Sequence, residues 1–159
     1  MIKNLHSRKD KLIIEKRHDV YQSRHKWPEF TRCIDCGALY VNGRWTWQKA
    51  PAKLHETICP ACRRIADYYP AGFLEIKGAF FAEHRDEILN LIHNVEKLEK
   101  SEHPLERIMA LTIENGCQVI TTGLHLARRL GEALAHAYKG ELSIQYAEAG
   151  DIIRVQWRR

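Results

Sequence analysis

The sequence predicts an α+β protein, in which a four-cysteine zinc ribbon comes first, a linking helix follows, and a ββαββ antiparallel-sheet unit ends the chain. Three observations support this prediction. Residues 33–77 contain two C-x-x-C pairs, residues 78–103 contain one apolar stripe at helical spacing, and residues 104–159 contain alternating apolar residues on both sides of one helical segment. Residues 1–32 are predicted to be a basic tail that stays disordered without a partner, because their low apolar content cannot offset the entropy lost on ordering.

The metal unit is predicted from two short pairs, Cys33-Ile-Asp-Cys36 and Cys59-Pro-Ala-Cys62. Two such pairs can place four thiolates tetrahedrally around one ion, and four thiolates leave no open coordination position, so the site should be structural. Zinc is the favoured ion. The runs Cys36-Gly37-x-x-Tyr40 and Cys59-Pro60-x-Cys62 also resemble rubredoxin, which leaves iron as the alternative in the same site. Two differences from rubredoxin favour zinc. The segment between the two pairs is short for rubredoxin, and Arg63-Arg64 follows Cys62 where rubredoxin has small residues.

Turn signals place short strands around the cysteines. Asn42-Gly43 predicts a tight hairpin between strands at 39–41 and 44–47. Residues 73–77 are predicted to add a third short strand to this unit. One helix is predicted to start after Gly78 and to end before Pro104, because a proline disfavours helical geometry in the residue that precedes it.

The C-terminal segment has the clearest globular pattern. Strands at 107–114 and 117–121 are predicted to meet at the turn Asn115-Gly116. Thr121 or Thr122 is predicted to cap a helix that runs from Leu124 to Tyr138. Two alternating strands follow, so we expect an antiparallel sheet with one face covered by helix and the other open to solvent or a partner.

The charge of the chain is unevenly distributed. The net charge is +5 at pH 7; residues 1–32 hold nine Lys/Arg and four Asp/Glu, whereas residues 33–159 hold sixteen of each. Basic and tryptophan side chains near the metal unit could neutralise phosphates and stack on unpaired bases, as recognition of single-stranded RNA requires. Two alternatives stay open, in which the tail is merely solubilising and the tryptophans form the ribbon's own core. The predicted nucleic-acid-binding residues are Arg17, Arg24, Lys26, Arg32, Arg44, Trp45, Trp47, Arg63 and Arg64.

A polar stripe on the C-terminal helix gives a second candidate surface. His125, Arg129 and His136 recur at helical spacing, and Thr122 lies at the helix N-terminus, where backbone N–H groups favour anions. These four residues are the candidate phosphate or partner face. The alternative is an ordinary solvated face, in which Glu132 pairs with Arg129 or His136.

The sequence contains no complete catalytic set, so we expect a protein that is not an enzyme and has no small-molecule substrate. His84-Arg85-Asp86 is similar to a kinase catalytic loop, but it lies within a predicted helix and no glycine-rich phosphate loop accompanies it. No apolar run approaches the roughly 18 residues of a membrane helix, and the N-terminus has no secretory apolar region. These features predict a cytoplasmic protein with no membrane partner, whose cysteines stay reduced.

Four stretches of the sequence are familiar together: Cys36-Gly-Ala-Leu-Tyr-Val-Asn-Gly-Arg-Trp45, Cys59-Pro-Ala-Cys-Arg-Arg64, His103-Pro-Leu-Glu-Arg-Ile108 and His125-Leu-Ala-Arg-Arg-Leu-Gly-Glu-Ala-Leu134. They resemble a family of small, uncharacterised bacterial zinc-ribbon proteins, over residues 24–157. That family is distantly similar to the N-terminal zinc domain of the archaeal and eukaryotic adaptor that exports the large ribosomal subunit. The resemblance implies a zinc-bearing module that engages ribosomal RNA and ribosomal proteins, without the adaptor's export function.

The predicted function is therefore that of a non-enzymatic zinc-ribbon protein that binds RNA and associates with the ribosome or a ribosomal subunit. Two alternatives remain. In the first, iron occupies the same four cysteines and the protein transfers electrons, as rubredoxin does. In the second, zinc stabilises a scaffold for protein interaction or regulation, and the open face of the sheet binds a protein.

Overall fold

The computed structural model describes Tyr21 and residues 26–159. The larger part of the predicted basic tail, including Arg17 and Arg24, lies outside the described residues. Within the described range the chain forms two β-sheets and four helices, which confirms the predicted α+β class. We call residues 26–70 the ribbon unit and residues 71–159 the sheet unit.

The ribbon unit contains four strands of three residues each. Asn42 and Gly43 both have positive φ angles, 51° and 79°, as a two-residue hairpin turn requires, so the predicted hairpin is confirmed. The strand order is third, second, first, fourth, and the first and fourth strands pair in parallel. The strands are β1 (Thr31–Cys33), β2 (Leu39–Val41), β3 (Arg44–Thr46) and β4 (His55–Thr57).

Helix α1 (Pro60–Asp67) begins at the second cysteine pair. Pro60 stands in the first turn, where its missing N–H has no intrahelical partner to lose. The sulfur of Cys59 caps the helix by accepting a hydrogen bond from the backbone N–H of Cys62 at 3.4 Å. Because the pair is the first turn of a helix, both sulfurs are held on the same side of the backbone.

The sheet unit is a five-stranded sheet covered by helices. Asn115 and Gly116 again have positive φ angles, which confirms the second predicted hairpin, and the long C-terminal helix has the predicted bounds. The elements are β5 (Gly72–Lys77), α2 (Ala79–Glu83), α3 (Arg85–Glu102), β6 (Ile108–Ile113), β7 (Cys117–Thr121), α4 (Leu124–Tyr138), β8 (Glu141–Tyr146) and β9 (Ile153–Arg158), and the strand order is β6-β7-β5-β9-β8.

The position of β5 corrects the predicted boundary between the units. Residues 73–77 do not extend the metal unit; β5 is the central strand of the second sheet, antiparallel to β7 and parallel to β9. The sheet is therefore mixed and not purely antiparallel. Leu74 and Ile76 are fully buried in the main core, and the three-residue strands of the ribbon unit offer no apolar layer that could bury them. The sheet unit starts before residue 77, not at residue 104.

The predicted single helix over 78–103 is two helices. His84 interrupts the helical path with φ −121° and ψ 28°, and its ring stacks on Phe80 with ring centroids 4.0 Å apart. Helix α3 ends at Glu102, two residues before Pro104, as predicted. Among the described residues no helix has the length and apolar character needed to cross a membrane.

Helices α3 and α4 pack on one face of the sheet. Alternate residues of the two parallel central strands point into this core, including Leu74 and Ile76 of β5 and Val155 and Trp157 of β9. The residues between them, such as Arg154 and Gln156, are exposed. This confirms the predicted arrangement of a helix-covered face and an outer face that the described helices leave uncovered.

Gly131 sets how closely α4 approaches the sheet. A Cβ atom at this position would lie 2.4 Å from Cγ1 of Val155 and 3.0 Å from Cδ1 of Leu142. Both contacts are shorter than carbon atoms tolerate. The glycine therefore allows α4 to lie directly on β9.

Substitution Gly131→Ala should destabilise the protein although alanine is the better helix former. The helix propensity gained is about 1 kcal/mol, whereas overpacking a filled core costs about 1–3 kcal/mol. We expect the free energy of unfolding, measured in urea, to fall. The double variant Gly131→Ala/Val155→Ala removes the closer of the two clashes, that with Cγ1 of Val155, so the two effects should be less than additive. An increase in stability for Gly131→Ala alone would contradict the close packing.

Candidate metal centre and adjoining cleft

The four predicted ligands come together at one point. The sulfurs of Cys33, Cys36, Cys59 and Cys62 all lie within 4.8 Å of one another, and in the described part of the chain no other set of three or more His, Cys, Asp or Glu is grouped this closely. A tetrahedral site with metal–sulfur bonds near 2.3 Å would place its sulfurs about 3.8 Å apart. Cys36 Sγ and Cys59 Sγ are 3.8 Å apart. The donor set and its dimensions therefore fit a tetrahedral divalent ion.

The backbone holds these sulfurs in place. The first pair forms a knuckle at the end of β1, where the N–H of Gly37 donates to the carbonyl of Cys33 at 2.9 Å and Gly37 has a φ of 80°. The N–H of Cys59 donates to Cys33 Sγ at 3.2 Å and so joins the two pairs. The site therefore forms from the local backbone geometry of each C-x-x-C pair and from one hydrogen bond that joins the two pairs.

The pKa values of the thiols show why this cluster suits a cation. Burial raises the pKa of Cys59 and of Cys62. Burial also acts to raise the pKa of Cys33, but N–H groups led by that of Cys59 outweigh it and lower the pKa to about 7. Burying several thiolates together is unfavourable without positive charge, so binding a metal ion stabilises them and displaces their protons.

The structure adds a cation that the sequence did not identify. Arg107 lies at the entrance to β6, is 8% exposed, and reaches across to the metal centre. Its Nη1 donates to Cys62 Sγ at 3.1 Å, and its Nη2 donates to Cys36 Sγ at 3.1 Å and to Cys59 Sγ at 3.5 Å. The sulfurs raise the pKa of this guanidinium against the opposing effect of burial. One arginine of the sheet unit therefore contacts three of the four sulfurs of the ribbon unit.

Arg107 also balances charge. Four thiolates around a divalent ion leave two negative charges in excess, and a buried charge is stable only when it is paired and hydrogen-bonded. The guanidinium offsets one of these charges, while its Nε donates to the carbonyl of Pro104 at 2.8 Å. Little in the sequence indicates that Arg107 contacts the cysteines. It belongs to one of the four stretches that resemble the zinc-ribbon family, but it lies 45 residues from Cys62.

Thr122 and the start of α4 correct the predicted phosphate site. Thr122 is buried, and its hydroxyl donates to the carbonyl of Leu105 at 2.6 Å and accepts from the N–H of Arg107 at 2.9 Å. The residue that caps α4 is Gly123, not a threonine. The backbone N–H of Leu126 lies in the first turn, where it has no acceptor within the helix. It donates instead to Oε2 of Glu106 at 3.0 Å. A carboxylate of the chain itself therefore occupies the place that was predicted for a phosphate.

The stripe on α4 joins two helices. His125 Nε2 lies 3.1 Å from Oε2 of Glu99, and Arg129 Nε donates to Oε1 of the same residue at 3.0 Å. Glu99 is on α3 and is 8% exposed. His136 is exposed near the end of α4. The structure thus brings His125 and Arg129 together in a contact between α3 and α4, with Thr122 and His136 apart from it.

Three predicted RNA-contact residues serve packing. Trp45 is 8% exposed and packs against Trp27 and Tyr40, so the alternative in which it forms the ribbon's core is confirmed for this residue. Arg64 is buried, and its Nη1 donates to the carbonyl of Tyr69 at 3.2 Å. Trp47 is 39% exposed, and its Nε1 donates to the carbonyl of Lys100 at 2.6 Å, which ties β3 to the end of α3.

The other predicted basic residues that the structure describes are on the surface. Arg32 pairs with Glu56 at 2.7 Å. Arg63 is exposed, and its Nε donates to the carbonyl of Ile58. Lys26 and Arg44 are exposed and have no carboxylate within 4.0 Å among the described residues. Among the described residues of the ribbon unit, Lys49, Lys53 and Arg63 are likewise exposed and have no carboxylate within 4.0 Å.

A cleft of about 530 Å³ lies beside the metal centre. Its walls are the β2–β3 turn and the start of β3 (residues 43–45), the segment between α3 and β6 (residues 103–106), and His125 of α4. The rings of His103 and His125 are 6.0 Å apart. Burial raises the pKa of the Glu106 carboxyl in this wall, although the hydrogen bond from Leu126 opposes the shift.

The fold and the sulfur cluster define an α+β protein with a four-cysteine site that could hold a metal ion. Compared with family models, curated proteins and solved structures, the chain gave no significant match. The resemblance to the bacterial zinc-ribbon family and to the export adaptor therefore stays a prediction. What the site can do follows from its own geometry.

Loss of one ligand should abolish metal binding and loosen the ribbon unit selectively. The four cysteines are the centre of the ribbon's small core, whereas the sheet unit has a separate apolar core. We expect Cys59→Ser to lose the bound metal in elemental analysis and to lose hydrogen-exchange protection in β1–β4, with β5 and β9 still protected. Cys117→Ala is the matched control, since Cys117 is buried in the sheet unit, and it should keep the metal. Equal loss of protection in both units would contradict this.

Removing the guanidinium of Arg107 should weaken both stability and metal retention. Breaking a buried charge pair costs about 3–5 kcal/mol, so we expect Arg107→Met to lower the free energy of unfolding by an amount of this order. It should also speed metal transfer to a chromogenic chelator. Arg107→Lys keeps the charge, but its single terminal nitrogen replaces neither the two-pronged contact of Nη1 and Nη2 with the sulfurs nor the donation of Nε to Pro104, so its effect should be intermediate. Arg63→Met, at an exposed position in the ribbon unit, should change neither quantity; a similar effect of both methionine variants would rule out a special role for Arg107.

Proposed function

We propose that the protein is a non-enzymatic zinc protein that binds RNA through the basic surface of its ribbon unit, on the ribosome or a ribosomal subunit. The observation that carries this proposal is a set of exposed basic side chains without acidic partners in the same unit as the four-cysteine site. Lys26, Arg44, Lys49 and Lys53 are all exposed and have no carboxylate within 4.0 Å in the described residues.

The charge of the ribbon unit supports a polyanionic partner. Residues 26–70 contain seven Lys/Arg and four Asp/Glu. Such a surface attracts phosphates, and counterions released from the nucleic acid favour binding at low salt. The basic residues that precede residue 26 would add to the same attraction. Lysine is depleted in protein–protein interfaces, so these residues do not support the scaffold alternative, which places the partner on the open face of the sheet.

Zinc is the metal that the proposal assigns to the four cysteines. The sulfurs are largely buried, and four thiolates leave no position open for a substrate or for water, so the ion is structural. The same sulfurs could hold iron, which would favour the electron-transfer alternative. Elemental analysis and the visible spectrum of the purified protein separate the two, because a ferric tetrathiolate absorbs strongly in the visible range and a zinc site does not.

The proposed association with the ribosome rests on the resemblance to the zinc-ribbon family and on the abundance of ribosomal RNA as a polyanionic partner. Ribosomal RNA is the most abundant RNA in a cell, and the resemblance implies a module that engages it. Sedimentation of cell lysate through a sucrose gradient tests this association. We expect the protein to migrate with a ribosomal particle at low salt and to leave it at high salt. Protein partners that persist after nuclease treatment would instead favour the scaffold.

RNA binding should depend on Lys49 and Lys53. Each phosphate contact adds about 0.7 to the slope of log affinity against log salt for a single strand. The double variant Lys49→Gln/Lys53→Gln of the zinc-loaded chain should therefore lower the slope by about 1 to 2 and weaken binding to every sequence. The matched control is Lys97→Gln/Lys100→Gln, which removes two exposed lysines from α3 and should leave the slope unchanged.

The titration uses a fluorescent single-stranded oligonucleotide and is followed by anisotropy. No binding at about 50 mM salt, where phosphate contacts are strongest, would overturn the proposal of RNA binding. Equal effects of the two double variants would overturn the assignment of the surface to the ribbon unit.

A further inference from the structure

We propose that the cleft between the β2–β3 turn and α4 binds one unpaired guanine base of the RNA. This inference rests on the proposed function, and it gives the RNA-binding surface a base-specific subsite. None of the predicted surfaces included this cleft as a whole. Its volume of about 530 Å³ lies within the range of about 300–1,000 Å³ that is usual for sites of small organic groups.

The cleft is preformed because two long-range contacts fix its walls. Arg107 binds the sulfurs of the ribbon unit and belongs to the same connecting segment as residues 103–106. Trp47 donates to the carbonyl of Lys100 and fixes β3 against the end of α3. Both walls are therefore held before a ligand arrives, so little ordering entropy would be lost on binding.

The walls of the cleft suit a flat ring. Pro104 and Leu105 contribute apolar surface, and Trp45 adds only the 8% of its surface that the ribbon core leaves exposed; burial of a planar base against such surface is favourable whatever its sequence context. Arg44 lies at the rim, is exposed, and has no carboxylate within 4.0 Å among the described residues. It can donate to a base edge or to the adjoining phosphate.

Glu106 supplies the polar group that selects the base. Its Oε2 accepts the N–H of Leu126, whereas Oε1 has no hydrogen-bond donor among the described residues. A carboxylate oxygen at the wall of a largely apolar cleft attracts N–H donors. It repels the carbonyl oxygens that uracil presents on its Watson–Crick edge.

Guanine matches this combination of groups better than the other bases. Its Watson–Crick edge carries two adjacent donors, N1–H and the N2 amino group, for the Oε1 of Glu106 while Oε2 keeps its hydrogen bond from Leu126, and its O6 and N7 are acceptors for an arginine. Adenine and cytosine each present one amino donor with an acceptor beside it. The cleft therefore predicts a preference for guanine in single-stranded RNA, where the base edge is free.

The first experiment titrates mononucleotides into the zinc-loaded full-length chain. The imidazole signals of His103 and His125 and the indole signal of Trp45 are followed by NMR. We expect GMP to shift these three signals saturably, and to bind about tenfold more tightly than AMP, CMP or UMP. Saturable shifts confined to other parts of the protein would overturn the placement of the site.

The second experiment uses the RNA oligonucleotide and two substitutions. Replacing its single guanosine by inosine removes the N2 amino donor and should weaken binding by about tenfold. Glu106→Gln should reduce the guanine preference by a similar factor, and its amide oxygen can still cap α4. The matched control is Glu102→Gln, at an exposed position at the end of α3, which should keep the preference. His103→Ala removes an exposed ring from the wall of the cleft and should weaken the binding of GMP. It tests the placement of the site independently if Glu106→Gln folds poorly.

The outcomes separate the inference from the function on which it rests. RNA binding without a guanine preference, unaffected by Glu106→Gln and His103→Ala, would overturn the subsite and leave the proposed function standing. If GMP binds in the cleft but no RNA binds, the proposed function is overturned. The claim that the guanine base belongs to RNA is then overturned as well. Lys49→Gln/Lys53→Gln should weaken all RNAs equally and preserve the guanine preference, which supports two separable contributions.

Discussion

The hydrogen bonds from the Arg107 guanidinium to the sulfurs of Cys36, Cys59 and Cys62 join the two halves of this structure. The ribbon unit has strands of three residues and a small core, so it needs the cysteine cluster to stay folded. With a divalent ion bound by four thiolates, that cluster would carry excess negative charge, which must be balanced where water is excluded. The sheet unit supplies the balancing cation. The contact that can balance this charge is therefore also one of the contacts that dock one unit on the other, beside the hydrogen bond from Trp47 to Lys100.

The segment before β6 connects this contact to the rest of the molecule. Arg107 binds the sulfurs, Glu106 caps α4 through Leu126, and Thr122 bonds to both Leu105 and Arg107. The same segment forms one wall of the cleft. A change at the metal site would thus be felt first at the start of α4 and in the cleft. This coupling gives a physical reason why a structural metal could matter for binding at a neighbouring surface.

Local patterns predicted much of the fold. The two Asn-Gly turns, the bounds of α4 and the end of α3 before Pro104 follow from interactions within a few residues, and the structure has each of them. The assignment of β5 was wrong, because strand pairing is decided by which layer can bury Leu74 and Ile76, and that layer lies far along the chain. Trp45 and Arg64 were predicted as surface contacts, but their burial depends on Trp27, Tyr40 and Tyr69, whose positions the local sequence does not specify.

The sequence by itself determined the four sulfur ligands, because the spacing of each C-x-x-C pair fixes a knuckle or a helix start whatever surrounds it. It also determined the distribution of charge along the chain. Tertiary structure alone decided that Arg107 balances the sulfurs, that Glu106 occupies the N-terminus of α4, and that Glu99 holds His125 and Arg129. These contacts join residues 20 to 71 positions apart. Their partners are chosen by the packing of two sheets and by the need to pair every buried charge, which no local pattern encodes.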